Sequence, residues 1–192
     1  MKVIALDAGH GQSNRTPGVF DEGASHGARE EDELAYQLVE SALFVATLPE
    51  FAGSIRCVQT RDSRTEPAPV GSRAAEAERE GADVLISVHL NSAPKASGTE
   101  TYYRNAAGRE FARRVQSAAV FSFGLLDRGA KHESDSQHKR LAVLAFGGPA
   151  CLWEAGFINS EHDMTAIFGP AARPRRIAFW SQVFRAILEM EI

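Results

Sequence analysis

The chain has 192 residues, of which 44% are hydrophobic and 24% charged, a balance that suits a packed core and excludes a disordered or fibrous chain. The length is short for two full-sized cores, so one catalytic domain over residues 1–192 is the expectation. A formal net charge of −4 leaves no basic footprint for a phosphate backbone, and no nucleic-acid partner is expected.

In chain order, residues 3–7 form a short apolar run that fits a strand covered on both faces. Residues 9–27 are rich in Gly, Ser, Asn, Pro and Asp without periodicity, which predicts a long loop of the kind that carries function. Leu34, Leu38, Ala42 and Val45 recur at helical spacing and predict a helix over 30–48. Residues 55–60 read as a strand, 70–80 as a helix stopped by Gly81, and 84–88 as a second buried strand. The β-branched and aromatic stretch 99–103 predicts a strand, followed by a helix over 108–123. Two further apolar runs occupy 141–146 and 150–153, and an amphipathic helix over 173–190 closes the pattern. Its Arg173, Arg175 and Arg176 read as a solvated edge.

Strands alternating with helices predict an α/β domain of three layers, a twisted, mostly parallel mixed sheet of about six strands flanked by helices. Cys57 and Cys151 sit in apolar runs and are expected as core thiols. Met1 leads straight into the first strand and no run approaches membrane-spanning length. The expectation is a protein made in the cytoplasm without a signal peptide and without membrane insertion.

Chemistry gathers where three predicted strands end: 3–7 runs into His10, 84–88 into His89 and 150–153 into Glu154. In open parallel sheets ligands bind at the carboxyl ends of the strands. A lone histidine is more often a hydrogen-bonded structural residue, but two histidines and a carboxylate are a known ligand set for catalytic zinc. Glycines on both sides of His10 also let the backbone approach a ligand closely. His26, His132, His138 and His162 stand in polar surroundings and read as surface residues, with His132 the one placed to border a cleft. Arg61 and Asp62 read as structural.

Asp7-Ala8-Gly9-His10-Gly11, Arg29-Glu30, Ser87-Val88-His89-Leu90-Asn91 and Trp153-Glu154-Ala155-Gly156-Phe157-Ile158 occur in this order along nearly the whole chain. Together they resemble the zinc-dependent N-acetylmuramoyl-L-alanine amidases of the type-3 class, which include bacterial cell-wall amidases and phage endolysins. The resemblance implies one zinc per chain held by His10, Glu30 and His89, with Glu154 as general base and acid. It also implies cleavage of the amide between N-acetylmuramic acid and L-alanine in peptidoglycan. Glu30 is taken as the ligand because it follows Arg29 directly; Glu31 and Glu33 are attributed to the helix macrodipole, and Glu22 is a weaker contender. Asn91 is a candidate for substrate binding or for holding the His89 loop. Trp153 and Ala155 depart from the aliphatic and small hydroxyl residues usual around the catalytic Glu.

Some periplasmic members carry a helical insert that blocks the zinc site. Residues 108–149 hold one predicted helix and a short polar segment, so a monomer that needs no activator is expected, acting on the cell wall after release or export. Two rival readings are a zinc carboxypeptidase-like peptidase and a catalytically silent peptidoglycan-binding module. The first needs a cationic anchor for a terminal carboxylate, and no arginine near the motifs supplies one. The second would be expected to have lost Glu154 or a zinc ligand.

Overall fold

The computed structural model describes residues 1–192. Strand β1 (Lys2–Ala8) leads into two short hairpins, β2 (Gly11–Gln12) with β3 (Phe20–Asp21) and β4 (Ser25–His26) with β5 (Arg29–Glu30), and then helix α1 (Glu31–Ala46). There follow β6 (Ile55–Gln59), α2 (Arg73–Arg79), β7 (Val84–Asn91), β8 (Thr99–Tyr103), α3 (Ala106–Phe123) and β9 (Asp127–His132). After 3-10 turns at Glu133–Asp135 and Ala142–Ala145 come β10 (Ala150–Phe157), α4 (Glu161–Phe168) and α5 (Arg173–Leu188).

The main sheet has six strands in the order β6-β1-β7-β10-β8-β9. Its first four strands are mutually parallel, β8 runs antiparallel to β10, and β9 is parallel to β8. This is the mixed α/β sheet that the pattern predicts. Successive side chains point to opposite faces of a strand, which sorts the sheet into two unequal sides. Ile4, Leu6 and Ala8 of β1, Ile86 and Val88 of β7, and Trp153 of β10 belong to a core cluster of 33 residues covered by α1, α3 and α5. On the other face, Ala5, Leu85, Leu152 and Tyr102 meet Ala74 and Ala77 of α2 and Val143 and Leu144 of the second 3-10 turn, a cluster of only 10. The thinner cover on this face leaves Asp7, Ser87, His89 and Glu154 open to a cleft.

Several boundaries differ from the sequence expectation, each for a local reason. α2 begins at Arg73; before it the Ser72 amide donates to the Pro69 carbonyl and the Val70 amide to that of Asn14, each at 2.9 Å, which holds this stretch as a turn against the Asn14 loop. β7 and β10 continue past Val88 and Trp153, so His89 and Glu154 stand on their strands, paired with each other across the register. The apolar run 141–146 forms a 3-10 turn packed on α2. β9 was not expected, because Asp127–His132 (DRGAKH) is a polar edge strand with little apolar signal. α4 was not expected either, although Ser160 caps it by accepting from the Asp163 amide.

Both cysteines are free. Burial pushes the Cys57 thiol up to about 12 and raises that of Cys151 further, so both stay unreactive core thiols. No helix is long and apolar enough to cross a membrane.

Candidate metal centre and catalytic cleft

The centre begins where β1 ends. Gly9 continues the strand's pairing by donating to the Val88 carbonyl at 2.9 Å, and His10 then turns back with φ 61°, a left-handed conformation that strains a residue with a side chain. Two buried guanidinium groups hold this turn. Arg61 donates to the carbonyls of Ala8 and Gly9, each at 3.0 Å. Arg73 donates to Ala8 O at 2.7 Å, to His10 O at 2.5 Å and to the Asp7 carboxylate at 2.7 Å. Burial works against the Asp7 charge, but Arg73, Ser87 and Thr60 outweigh it and hold the carboxyl down at about 2. Arg61, expected to be structural, therefore fixes the backbone that aims His10.

His10 Nε2 lies 3.0 Å and His89 Nδ1 2.9 Å from the same oxygen, Glu31 Oε1. All three donor atoms fall within 4.8 Å of one another. The imidazole rings meet edge to face, 5.0 Å apart. Glu31 is itself fixed, its Oε2 accepting from the Ala24 amide at 2.8 Å and its Oε1 from Leu90 at 3.1 Å. Burial alone would raise the Glu31 carboxyl; the two histidines hold it well below the usual carboxylate range. Burial lowers and the Glu31 and Asp21 carboxylates raise His10, with a net upward shift. Asp21 Oδ2 stands 3.2 Å from His10 Nδ1, near enough to attract its charge though not aligned for a hydrogen bond. Two imidazoles and one carboxylate with a further carboxylate behind one ring are a donor set that suits zinc. Room for them depends on glycine: a Cβ on Gly9 would lie 2.3 Å from the His89 ring, and one on Gly23 2.7 Å from both Glu31 and His10.

The expected third ligand, Glu30, is not part of this group. Glu30 is the extended residue before α1 (φ −120°, ψ 133°), so its side chain and that of Glu31 point to opposite sides. Its carboxylate faces outward to Arg64, 2.9 Å away. Glu31 instead shares the buried helix face of Ala35, Leu38, Ala42 and Val45. That spacing is present in the sequence, and following the buried stripe backward would have reached Glu31. Glu22 is absent from the group, and Glu161 pairs with Arg29 on the surface.

His10, His89 and Glu154 do converge on one cleft of about 530 Å³. Glu154 Oε2 is buried without a hydrogen-bond partner. Burial, reinforced by the charges of Glu31 and Glu100, pushes its carboxyl well above the ordinary value. Asn91 also lines the cleft, but its amide is engaged in donating to Glu100 Oε1 at 2.8 Å. His132 turns away, within reach of the Arg104 carbonyl and Ser134, whereas His138, at the surface as expected, borders the cleft with Asp135, Ser136 and Gln137.

The fold and the sequence are similar to those of known proteins. A catalytic domain of CwlV, an N-acetylmuramoyl-L-alanine amidase from Bacillus (Paenibacillus) polymyxa, superposes with a TM-score of 0.78 at 26% identity, covering 100% of both chains. An N-acetylmuramoyl-L-alanine amidase from Clostridium difficile 630 does so with a TM-score of 0.76 at 27% identity, over 97% of this chain and 95% of the other. In sequence, the chain is 27% identical over 172 residues to an endolysin of Bacillus phage SPP1, covering 84% of this chain and 57% of that protein. A Bacillus anthracis protein described as an uncharacterized cell wall amidase is 27% identical over 188 residues, 91% of this chain and 33% of its own length. The chain thus spans between about a third and three fifths of the curated relatives it matches. The family model described as N-acetylmuramoyl-L-alanine amidase matches residues 4–177, and the chain belongs to that family.

Proposed function

We propose that the protein is a zinc-dependent hydrolase that cuts the amide between N-acetylmuramic acid and L-alanine in peptidoglycan. The observation that carries this reading is the convergence of His10, Glu31 and His89 beside a partnerless Glu154 on the neighbouring strand. His10, Glu31 and His89 would hold one zinc. Zinc bound there supplies Lewis-acid charge that polarises the amide carbonyl and acidifies water.

The chain's own residues do the rest. Asp21 and the guanidinium groups of Arg61 and Arg73 keep His10 in place. Glu154 takes a proton from water and returns it to the leaving amine. A carboxyl raised above its ordinary range is suited to both transfers, because it is neither locked as an anion nor too weak an acid to give the proton back. The enzyme is further proposed to act as a monomer on the cell wall without an activator protein. The cleft carries all four groups on its wall, and the stretch between β9 and β10 holds two 3-10 turns of three and four residues, which supports the activator-free reading.

Mass spectrometry of products from purified sacculi tests the reaction. The expected products are intact stem peptides with a new amino-terminal alanine and glycan strands stripped of peptide. Release of carboxy-terminal amino acids would instead assign a carboxypeptidase, and unaltered sacculi a binding module.

A further inference from the structure

Arginines are the natural partners of carboxylates, and three border the cleft: Arg15, Arg73 and Arg128. Arg73 is spent, its guanidinium taken up by Asp7, Asn14 and three backbone carbonyls. Arg15 reaches only Asp21, at 3.5 Å, and is largely exposed. Arg128 differs from both. Its Nε donates to Glu100 Oε2 at 3.0 Å, and its guanidinium carbon lies over the Phe157 ring, 4.9 Å from the centroid. One edge and one face are thereby fixed, while its two terminal amino groups make no hydrogen bond within the protein.

Glu100 accepts from Lys131 at 2.5 Å as well, so the carboxylate that holds Arg128 is shared between two cations. Burial raises the Glu100 carboxyl, but Lys131 and Arg128 outweigh it, and the group stays ionised. Glu100 is the register partner of Glu154 across β8 and β10, and adjacent strands lie about 4.8 Å apart. Arg128 stands on β9, one strand beyond Glu100 and two from Glu154, so it lies about 10 Å from the proton-transferring strand, within a residue or two of an amide placed at Glu154.

We propose that Arg128 is a substrate-binding residue that takes a carboxylate of the peptide released by the cut, through its two open amino groups. The proposal rests on the amidase reading above and adds a specificity to it: the acidic stem peptide is recognised on the leaving side of the scissile bond. A preorganised fork suits a planar carboxylate in two-point contact.

Binding can be read without turnover by calorimetry on the zinc-loaded Glu154→Gln protein. The probes are two N-acetylmuramoyl dipeptides, L-alanine followed by an acidic residue, with the carboxyls free in one and converted to amides in the other. A charge-assisted pair predicts that the free acid binds about 10- to 100-fold more tightly. Adding Arg128→Gln should bring the ratio of the two dissociation constants close to one, and Arg128→Lys should leave an intermediate ratio, since it restores charge without the fork. A ratio near one before Arg128 is changed, a ratio that survives Arg128→Gln, or no measurable binding of the free acid overturns the assignment. Failure of the amidase reading appears separately, as absence of the expected products from sacculi digested by the unmutated protein.

Discussion

Gly9 and Arg73 show how little freedom the centre has at the level of single residues. A methyl group on Gly9 would press into the His89 ring from 2.3 Å, and the ring has nowhere to retreat while its Nδ1 meets Glu31. Gly9→Ala is expected to weaken zinc affinity by about 10- to 100-fold, the range seen when a group that orients a ligand is disturbed, and competition with a fluorescent chelator measures it. Arg73→Ala removes the partner of buried Asp7; breaking such a pair costs about 3–5 kcal/mol, which urea unfolding reads directly. Glu154→Gln keeps its size and loses its proton function, so zinc content should hold while turnover on sacculi falls by about 10² to 10⁴-fold. Loss of zinc in that variant would move Glu154 from proton transfer to metal binding. At this scale the short motifs around His10, His89 and Glu154 made it legible in the sequence that these three side chains meet at one cleft. Glu30 lies outside the group that His10, Glu31 and His89 form, because adjacency to Arg29 does not say which way a side chain points where a strand gives way to a helix.

At the scale of elements, the sheet was legible because its central strands are nearly continuous apolar runs and its helices carry a clear stripe. The elements that escaped notice are those whose stability comes from neighbours. β9 owes its place to pairing with β8 and to Arg128 and Lys131 meeting Glu100. α4 is tied in by buried Asp163, which accepts from the Gly98 and Phe157 amides. Long-range partners of this kind leave no periodic trace in a sequence. α5 is the opposite case, for its pattern predicts its docking: Phe179 stacks on Trp153 with ring centroids 4.2 Å apart, and Trp180 donates to the Leu38 carbonyl at 3.0 Å. Phe179→Ala should lower unfolding free energy by about 3–5 kcal/mol. Zinc stoichiometry should stay at about one in the folded fraction, since α5 packs on the face of the sheet opposite the cleft.

Across the whole molecule, the unequal faces of the sheet link stability to function. The larger face anchors the strands while the thinly covered face presents buried charge to the cleft, and that charge makes folding sensitive to acid. The Asp7 carboxyl lies at about 2 in the folded protein against an ordinary 3.8, so its contribution is complete above the ordinary value and disappears as pH falls through about 2. That amounts to about 2 kcal/mol. Denaturant unfolding at pH 5 and pH 2 should show a loss smaller by this amount in Asp7→Asn than in the unmutated protein. The proposed chemistry depends above all on the identity of the third metal donor. The most direct test is zinc titration of the metal-free protein beside its Glu30→Gln and Glu31→Gln variants. Binding of about one zinc per chain, unchanged in Glu30→Gln and strongly weakened in Glu31→Gln, is the predicted result; weakening in Glu30→Gln with full binding in Glu31→Gln would contradict it.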